Sequence, residues 1–401
     1  MDLARARKFY YLLAMMGPAI DTLLTGFYVV FVLHYLSMIE LGLLFAFHLF
    51  VLAVADFPTG SLADLWGARK CLMASYGLFL CGYLGLALVI FNPSMALPLF
   101  ILVQFLFAMG TAQESGTIVA WFTNQCKAKG GDLKKIRSIF GKARGITFMT
   151  ITVAMLIGGF LAQYISLTAA FVAGIGLAVL ALLATSLLES ESSNSRKNRT
   201  NYLTNLMEAA KAAVNDSRLP ILIATSSLNY AGYYIVIVLA LQPLLYQDLR
   251  SFFWLSVVFA VLQIVSMLCS YIGGKITRFR DISTALLIWI VVPVVYFLLF
   301  VSILMDWGFY ALFLGFAVLF GVFASYNPHI LQFYQQLIPD DHRAAVTSLK
   351  STARSMTAIL FCIGGGILLQ SLGMEILLLT ASGLALVSLG LLFYIWWISS
   401  T

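Results

Sequence analysis

Charged residues are scarce in this chain. Asp, Glu, Lys and Arg together make up 10% of its 401 residues, and 61% of the residues are hydrophobic. An average soluble domain has about 25% charged and about 45–50% apolar residues. The low charge excludes an ordinary soluble domain and indicates an integral membrane protein.

Signatures of enzymes and of nucleotide-driven pumps are also missing. The sequence contains no HExxH, no GxSxG, no GxxxxGKS/T and no paired His or Cys at metal-binding spacing. We therefore expect neither an intramembrane enzyme nor an ATP-driven pump, and neither a metal nor another cofactor. The five cysteines have no CxxC spacing and are interpreted as small core residues: Cys71, Cys81, Cys126, Cys269 and Cys362.

Long apolar runs dominate the chain instead. A helix needs about 17–25 apolar residues to cross a bilayer, and twelve runs reach this length. They lack the alternation of a β-barrel strand, so the backbone must satisfy its hydrogen bonds within helices. We predict an all-α integral membrane protein with twelve transmembrane helices, at residues 9–35, 41–59, 71–91, 97–123, 145–165, 168–188, 219–246, 252–274, 282–304, 308–334, 355–372 and 375–398.

The basic residues lie on one side of this topology. With a cytoplasmic N-terminus, 23 of the 24 Lys and Arg residues fall in cytoplasmic segments, and Arg250 alone falls outside. The positive-inside rule then predicts two cytoplasmic termini, in a cytoplasmic (inner) membrane. The net charge of +7 is thus a topology signal, and we expect no nucleic-acid partner. The first run carries Asp21 and is too long for a signal peptide, so we expect it to be retained as helix one.

One polar segment divides the chain into two halves. It covers residues 189–218 and is predicted to be a cytoplasmic linker with a short amphipathic surface helix. The linker separates two predicted six-helix bundles, 1–188 and 219–401. Internal repeats support the division: IGGFLAQ at 157–163 is echoed by GGGILLQ at 364–370, Ala143-Arg144 with Thr147 by Ala353-Arg354 with Thr357, and Gly60 by Gly273.

A charged stretch, ADFPTGSLADLWGARK at 55–70, interrupts the apolar runs. It resembles the motif after helix two in the major facilitator superfamily: a glycine, an aspartate four residues later, a second glycine and a basic cluster. The acidic-x-Pro-Thr-Gly form at its start and SGTIVAW at 115–121 are similar to drug-exporter-like branches of that superfamily. The matching positions are Asp56, Gly60, Asp64, Gly67, Arg69 and Lys70, while Leu65, Ala68, Thr277 and Arg280 depart from the pattern.

The resemblance implies a secondary transporter that works by alternating access, with two bundles moving about a central site. It implies a cytoplasmic gate at the six matching positions, in which Asp64 forms a breakable contact. The alternative for this stretch is a helix-ending turn whose charges only set the topology. We predict a monomer that exports a small amphipathic compound across the bilayer in exchange for protons, with the proton gradient as energy source. Proton-driven nutrient uptake, siderophore or metabolite export, and a non-transporting receptor or scaffold remain alternatives.

Two carboxyl groups fall inside predicted helices, Asp21 in helix one and Glu114 in helix four. A charge at mid-membrane costs at least about 2.5–3.5 kcal/mol on the insertion scale, so a functional role is the first hypothesis. We predict that both groups couple transport to protons or bind substrate; the alternative is a structural hydrogen bond to a neighbouring helix. Because no Lys or Arg falls at mid-depth in the predicted helices, the buried charge is expected to be acidic only. That expectation favours a cationic or neutral amphipathic substrate.

Polar and aromatic residues complete the predicted substrate cavity. The Asn-Pro-His sequence at 327–329 is expected to interrupt helix ten, because proline removes a helix hydrogen bond. Simple kinked packing and interfacial anchoring by aromatic rings are the alternatives. The cavity candidates are Tyr28, Trp121, Asn229, Tyr233, Gln263, Asn327 and His329.

Overall fold

The computed structural model describes residues 3–114, 117–128, 133–188, 216–275, 281–338 and 343–400. Within these ranges, only the backbone is described at 56–65, 127–128, 133–138, 281, 343–345, 348 and 400. The described part of the chain is helical apart from short connections and contains no β-strand. The predicted all-helical fold class is confirmed. The predicted surface helix of the linker lies outside the described residues.

Eight α-helices lie in the described residues before the linker. Their ends follow local chemistry: the last of them begins after Ser166, whose hydroxyl accepts a hydrogen bond from the Ala169 amide at 3.0 Å, as expected of an N-cap. A short 3-10 turn, Pro93–Met95, precedes the fifth helix. The helices are α1 (Leu3–Thr22), α2 (Tyr28–Leu33), α3 (Met38–Trp66), α4 (Ala68–Phe91), α5 (Ala96–Glu114), α6 (Thr117–Ala128), α7 (Leu133–Tyr164) and α8 (Leu167–Ser186).

Eight further α-helices follow the linker. Asp216 fixes the start of the first, because its carboxylate accepts hydrogen bonds from the Arg218 amide and side chain at 2.9 Å. These bonds hold the pKa of the Asp216 carboxyl below its ordinary value. The helices are α9 (Arg218–Ile235), which continues through a π-helical turn (Val236–Leu241) into α10 (Gln242–Leu249), α11 (Phe252–Gly273), α12 (Asp281–Trp289), α13 (Val291–Leu304), α14 (Gly308–Leu337), α15 (Arg343–Leu372) and α16 (Met374–Ser400).

Eleven segments of the described chain are long and apolar enough to cross a membrane. Each of them overlaps one of the twelve predicted spans. The remaining prediction, 9–35, differs from the structure because α1 ends at Thr22 and α2 begins only at Tyr28. The turn between them is closed by short backbone hydrogen bonds, such as the 3.0 Å bond from the Phe27 amide to the Leu24 carbonyl. Hydropathy does not register this break, since the turn is as apolar as the helices beside it.

Two local predictions were wrong. The Asn-Pro-His sequence does not interrupt its helix, because α14 runs through Pro328 to Leu337; long membrane helices tolerate proline where neighbouring groups satisfy the freed carbonyl. The predicted end of helix two at residue 59 was wrong as well, since α3 continues through the charged stretch to Trp66. Gly67 alone connects α3 to α4, with φ of 80°, a backbone conformation that glycine adopts without steric cost.

The chain forms two compact units. The first comprises Met1–Leu36, Phe47–Arg196 and Ser251–Ala260, and the second comprises Ser37–Ala46, Lys197–Arg250 and Val261–Thr401. In the first unit, α4 packs along α5 and α8, and α1 packs along α7. In the second unit, α9 packs along α15 and α16, and α13 packs along α16. The predicted bundle limits at 188 and 219 stay predictions.

Candidate functional site

A cavity of about 580 Å³ lies within the first unit. Residues of α1, α5, α6 and α7 form its wall, which is mainly apolar and aromatic. This volume is within the range of small-molecule sites. The charged and aliphatic hydroxyl side chains of the wall are Asp21, Thr22, Thr111, Glu114, Arg144 and Thr147.

Glu114 is the last residue of α5, and its carboxyl group lies directly against Gly17 of α1. A side chain at position 17 would occupy the place of the Glu114 carboxylate, so glycine is what allows the two helices to hold the acid between them. The side chain of Glu114 is half-buried in the cavity wall. Glu114 therefore faces the neighbouring helix α1. The two residues that follow it, 115–116, lie outside the described residues, and its role in coupling stays a prediction.

Asp21 shares this wall from the neighbouring helix. It lies one residue before the end of α1, and its side chain is exposed and lines the cavity. Thr111 of α5 lies beside Asp21. Its hydroxyl is buried, and its position relative to the Asp21 carboxylate does not meet the distance and angle of a hydrogen bond. Tyr83 holds the adjacent backbone, because its hydroxyl donates to the Ile20 carbonyl at 2.5 Å. The two predicted coupling residues thus meet in one cavity.

Pro18 shapes α1 next to Asp21. Since proline has no amide hydrogen, the carbonyl of Ala14 four residues earlier receives no hydrogen bond from its own helix. Thr147 of α7 donates to this carbonyl at 3.0 Å. Thr22 in turn donates from its hydroxyl to the Pro18 carbonyl at 2.6 Å. The wall of the cavity is therefore fixed by polar contacts on both sides of the proline.

Arg144 places a cation in the same cavity, which the sequence prediction missed. Its side chain is exposed, and its Cζ lies 5.6 Å from the ring centroid of Phe148. Within the described residues, it forms an ion pair with neither Asp21 nor Glu114. The predicted span began at residue 145, whereas α7 begins at Leu133, so the arginine belongs to the helix that lines the cavity. The expectation of an acidic-only charge set concerned buried charges at mid-depth, and the exposed Arg144 does not test it.

Tyr28 and Trp121 lie elsewhere in the first unit. Tyr28 accepts a hydrogen bond from Gln104 Nε2 at 3.0 Å, and this bond joins α2 to α5. Trp121 is 2% exposed and packs beside Phe122, with ring centroids 6.5 Å apart. Neither residue is part of the cavity wall. Their contacts are those of packing residues, and a role in substrate binding stays a prediction.

The second-half candidates divide between a buried cluster and the surface of their helices. Asn229 donates to the Tyr326 hydroxyl at 3.4 Å. The ring centroids of Tyr233 and Phe323 are 4.2 Å apart. Gln263 is half-buried in α11. His329 is buried and hydrogen-bonded through Nε2 to the Gly273 carbonyl at 2.9 Å, whereas Asn327 is exposed. Asn229 and Tyr233 belong to one polar and aromatic cluster of the second unit; the others are not part of it.

The predicted gate is described only in part. The backbone of Asp56, Gly60 and Asp64 is helical within α3, and their side chains lie outside the described residues. Arg69 and Lys70 follow Gly67 in the first turn of α4, the first half-exposed and the second exposed. The role of these residues in gating stays a prediction.

Comparison with known families identifies the chain. The fold, with its many apolar helices and its charged cavity of small-molecule size, is that of a multi-pass membrane transporter. The family model described as Major Facilitator Superfamily matches residues 9–361. The chain belongs to the Major Facilitator Superfamily, and it is a transporter rather than an enzyme.

Solved structures agree with this assignment. The nucleoside transporter NupG is 18% identical, with 99% of each chain covered and a TM-score of 0.77. The POT family transporter PepTSo is 11% identical, with 98% of this chain and 97% of that chain covered and a TM-score of 0.75. A D-xylose–proton symporter is 12% identical, with 98% and 96% covered and a TM-score of 0.71. At these identities the likeness shows the fold alone. No curated protein sequence matches the chain.

Proposed function

We propose that the protein exports a small amphipathic compound in exchange for protons, as a member of a drug-exporter-like branch of its superfamily. The observation that carries this proposal is the meeting of Asp21 and Glu114 in one cavity of about 580 Å³. Ionisable groups within membrane-spanning helices are rare, and a functional role is the first hypothesis for them; here two carboxyl groups line one cavity.

Protonation of the cavity would link the two fluxes. An ionised carboxylate is far more costly in a low-dielectric wall than the neutral acid, and each proton that binds changes the charge of the cavity by one unit. A substrate that senses this charge binds with different affinity before and after protonation. Each proton that moves inward down a 100 mV potential supplies about 2.3 kcal/mol, which is enough for modest accumulation against a gradient.

Arg144 supplies the ionised state with a counter-charge. Its guanidinium lines the cavity that also contains Asp21 and Glu114, and an ion pair between exposed side chains contributes about 0.2–1 kcal/mol. We propose that Arg144 leaves the ring of Phe148 to pair with a carboxylate when the cavity loses its proton. The cavity would then alternate between a paired and an unpaired arginine.

The remaining parts of the mechanism follow the sequence predictions. The basic residues favour cytoplasmic termini and a cytoplasmic (inner) membrane, and the motif around Asp64 would act as a gate on the cytoplasmic side. We propose that one chain forms the working unit. Alternating access of two six-helix bundles would expose the cavity to each side in turn.

Proton-driven uptake on the same scaffold is the second candidate. One structural neighbour is a D-xylose–proton symporter, and its name describes protons and substrate moving together. The same two carboxyl groups would serve a symporter, because the direction depends on the order of binding rather than on the presence of the acids.

A proton-release assay tests the exchange. Everted membrane vesicles are acidified inside by respiration, and a pH-sensitive acridine dye reports protons that leave when a compound is added. A panel of amphipathic compounds should produce dequenching in the wild type, and Asp21→Asn and Glu114→Gln should abolish it. Glu375→Gln, which changes a carboxylate in the first turn of α16, should leave it intact. Unchanged dequenching in both cavity variants would contradict the proposal that Asp21 and Glu114 couple export to protons.

The same vesicles separate export from uptake. An exchanger releases internal protons when the compound is added outside, whereas a symporter does so only when the compound is loaded inside. Accumulation of the active compound in whole cells with and without the protein gives an independent check, since an exporter lowers the internal level.

A further inference from the structure

Two cations of the second unit lie inside an apolar span. The predicted span began at residue 355 and left Lys350 and Arg354 in a cytoplasmic segment, but α15 begins at Arg343 and its apolar span begins at Leu349. Lys350 is 9% exposed and Arg354 is half-buried. These side chains therefore do not reach freely into water, as residues that only set the topology would.

Aromatic rings hold both cations. The Nζ of Lys350 lies 4.1 Å from the ring centroid of Tyr334, which is fully buried and whose hydroxyl donates to the Val346 carbonyl at 2.9 Å. The Cζ of Arg354 lies 4.2 Å from the ring centroid of Tyr230, and that ring is 5.5 Å from Tyr234. Such contacts attract a cation to the negative face of a ring, but they leave its charge uncompensated.

The arrangement costs free energy without an anion. Lys350 and Arg354 are four residues apart on α15 and so share one helix face, where like charges repel. Among the described residues, no carboxylate forms an ion pair or a hydrogen bond with either cation. A buried charge that lacks a partner is strongly unfavourable. An anion between the two side chains would remove both penalties.

Lys275 shows that ring contact alone does not explain the burial. Its Nζ also lies 4.1 Å from a ring centroid, that of Tyr271, but both residues are exposed. Within the same unit, one lysine thus rests on a ring at the surface and the other is enclosed. Lys350 also differs from Lys275 in having a second cation, Arg354, one helical turn away.

We propose that Lys350 and Arg354 bind the anionic group of the transported compound, a carboxylate or a phosphate, with the rings of Tyr230 and Tyr334 beside it. The inference rests on the proposed transport function and narrows its substrate class to amphipathic organic anions or zwitterions. It differs from the expectation of a cationic or neutral substrate, which rested on the absence of Lys and Arg at mid-depth in the predicted helices. An anionic lipid headgroup offers the same chemistry, so the test must separate the two sources.

Matched acids and amides test the site. The purified protein is reconstituted in nanodiscs of zwitterionic lipid, and its thermal stability is measured against benzoate and benzamide, and against indole-3-acetate and indole-3-acetamide. We expect at least one acid to stabilise the wild type, with an apparent affinity at least about tenfold above that of its amide. Lys350→Gln and Arg354→Gln should each lose about tenfold in acid affinity, while Lys275→Gln should keep it.

Several outcomes would overturn the proposal. Equal binding of acids and amides, or acid binding that survives in the Lys350→Gln, Arg354→Gln double variant, would do so. Lys350→Arg keeps the charge and should keep the acid preference, which guards against a folding defect in the glutamine variant. Acid binding that appears only after Asp340→Asn and Asp341→Asn, two residues outside the described part of the chain, would show that the protein supplies its own anion.

Two further measurements separate a lipid headgroup from a substrate and separate anion binding from proton exchange. If nanodiscs with phosphatidylglycerol stabilise the wild type but not Lys350→Gln, while no acid does, the site holds a headgroup and the substrate assignment fails. Binding is measured at equilibrium without a proton gradient. Acid preference in a protein that fails the dequenching assay would therefore contradict the exchange alone, and dequenching without acid preference would contradict the anion site alone.

Discussion

The hydroxyl of Thr147 on α7 donates a hydrogen bond of 3.0 Å to the carbonyl of Ala14 on α1. This carbonyl is the one that Pro18 leaves without a helix donor. The bond therefore replaces a missing interaction within α1 by one between two helices, beside the carboxyl groups of the cavity. Helix α1 can bend at the proline without exposing an unsatisfied polar group to an apolar environment.

Removing this hydroxyl should destabilise the first unit. In Thr147→Val the half-buried Ala14 carbonyl loses its hydrogen-bond donor, which should cost about 0.5–1.5 kcal/mol. Thermal unfolding in detergent micelles should show a lower midpoint for this variant. Thr150→Val is the matched control, because Thr150 donates to the Ile146 carbonyl of its own helix, which also has a regular helix donor. Equal shifts in the two variants would contradict the interpretation.

The start of α9 should be sensitive to acid. Hydrogen bonds from Arg218 hold the pKa of the Asp216 carboxyl below its ordinary value of 3.8. Because the folded-state pKa is the lower one, the stabilisation is present above that ordinary value and is lost as the pH falls through the folded-state pKa. The side chains of Arg218 and Asp216 are 34% and 28% exposed, so solvent screening limits the effect to about 1 kcal/mol.

Comparison with Asp216→Asn isolates this contribution. The asparagine variant should be less stable than the wild type at neutral pH, and the difference between their unfolding midpoints should shrink in strongly acidic buffer. A difference that stays constant across the acidic range would show that the carboxylate does not contribute through its charge.

Hydropathy, and the free-energy cost of a charge inside the membrane, predicted most of the helices and the two carboxyl groups of the cavity. They did not predict the positions of the cations Arg144 and Lys350. Asp21 and Glu114 are recognisable because charges in apolar runs are expensive. Arg144 and Lys350 were assigned to cytoplasmic segments because both flank a predicted apolar run. The helices α7 and α15 extend past these runs, so that Arg144 lines the cavity and Lys350 is 9% exposed. The break after Thr22 was invisible for a different reason: it depends on local backbone geometry in a segment of uniform hydropathy.

The close contact between the Glu114 carboxylate and Gly17 gives a steric prediction. In Gly17→Ala, the added methyl group would displace the Glu114 carboxylate from α1, even though alanine favours a helix over glycine by about 1 kcal/mol. We expect compound-induced proton release to fall by at least about tenfold, equivalent to about 1.4 kcal/mol. Gly145→Ala is the control, because a methyl group there meets open space and α7 should become no less stable. Loss of proton release in both variants would point to a general sensitivity of these helices instead.

The charge of Arg144 should matter more than its size. In Arg144→Gln an ionised Asp21 or Glu114 would lose its proposed counter-charge, so deprotonation of the cavity becomes harder and proton release in the dequenching assay should fall. Arg144→Lys keeps the charge and should retain part of the activity. Lys142→Gln removes an exposed cation of the same helix that is absent from the cavity wall, and it should behave as the wild type. If the glutamine variants at 142 and 144 behaved alike, Arg144 would be a residue of topology rather than of coupling.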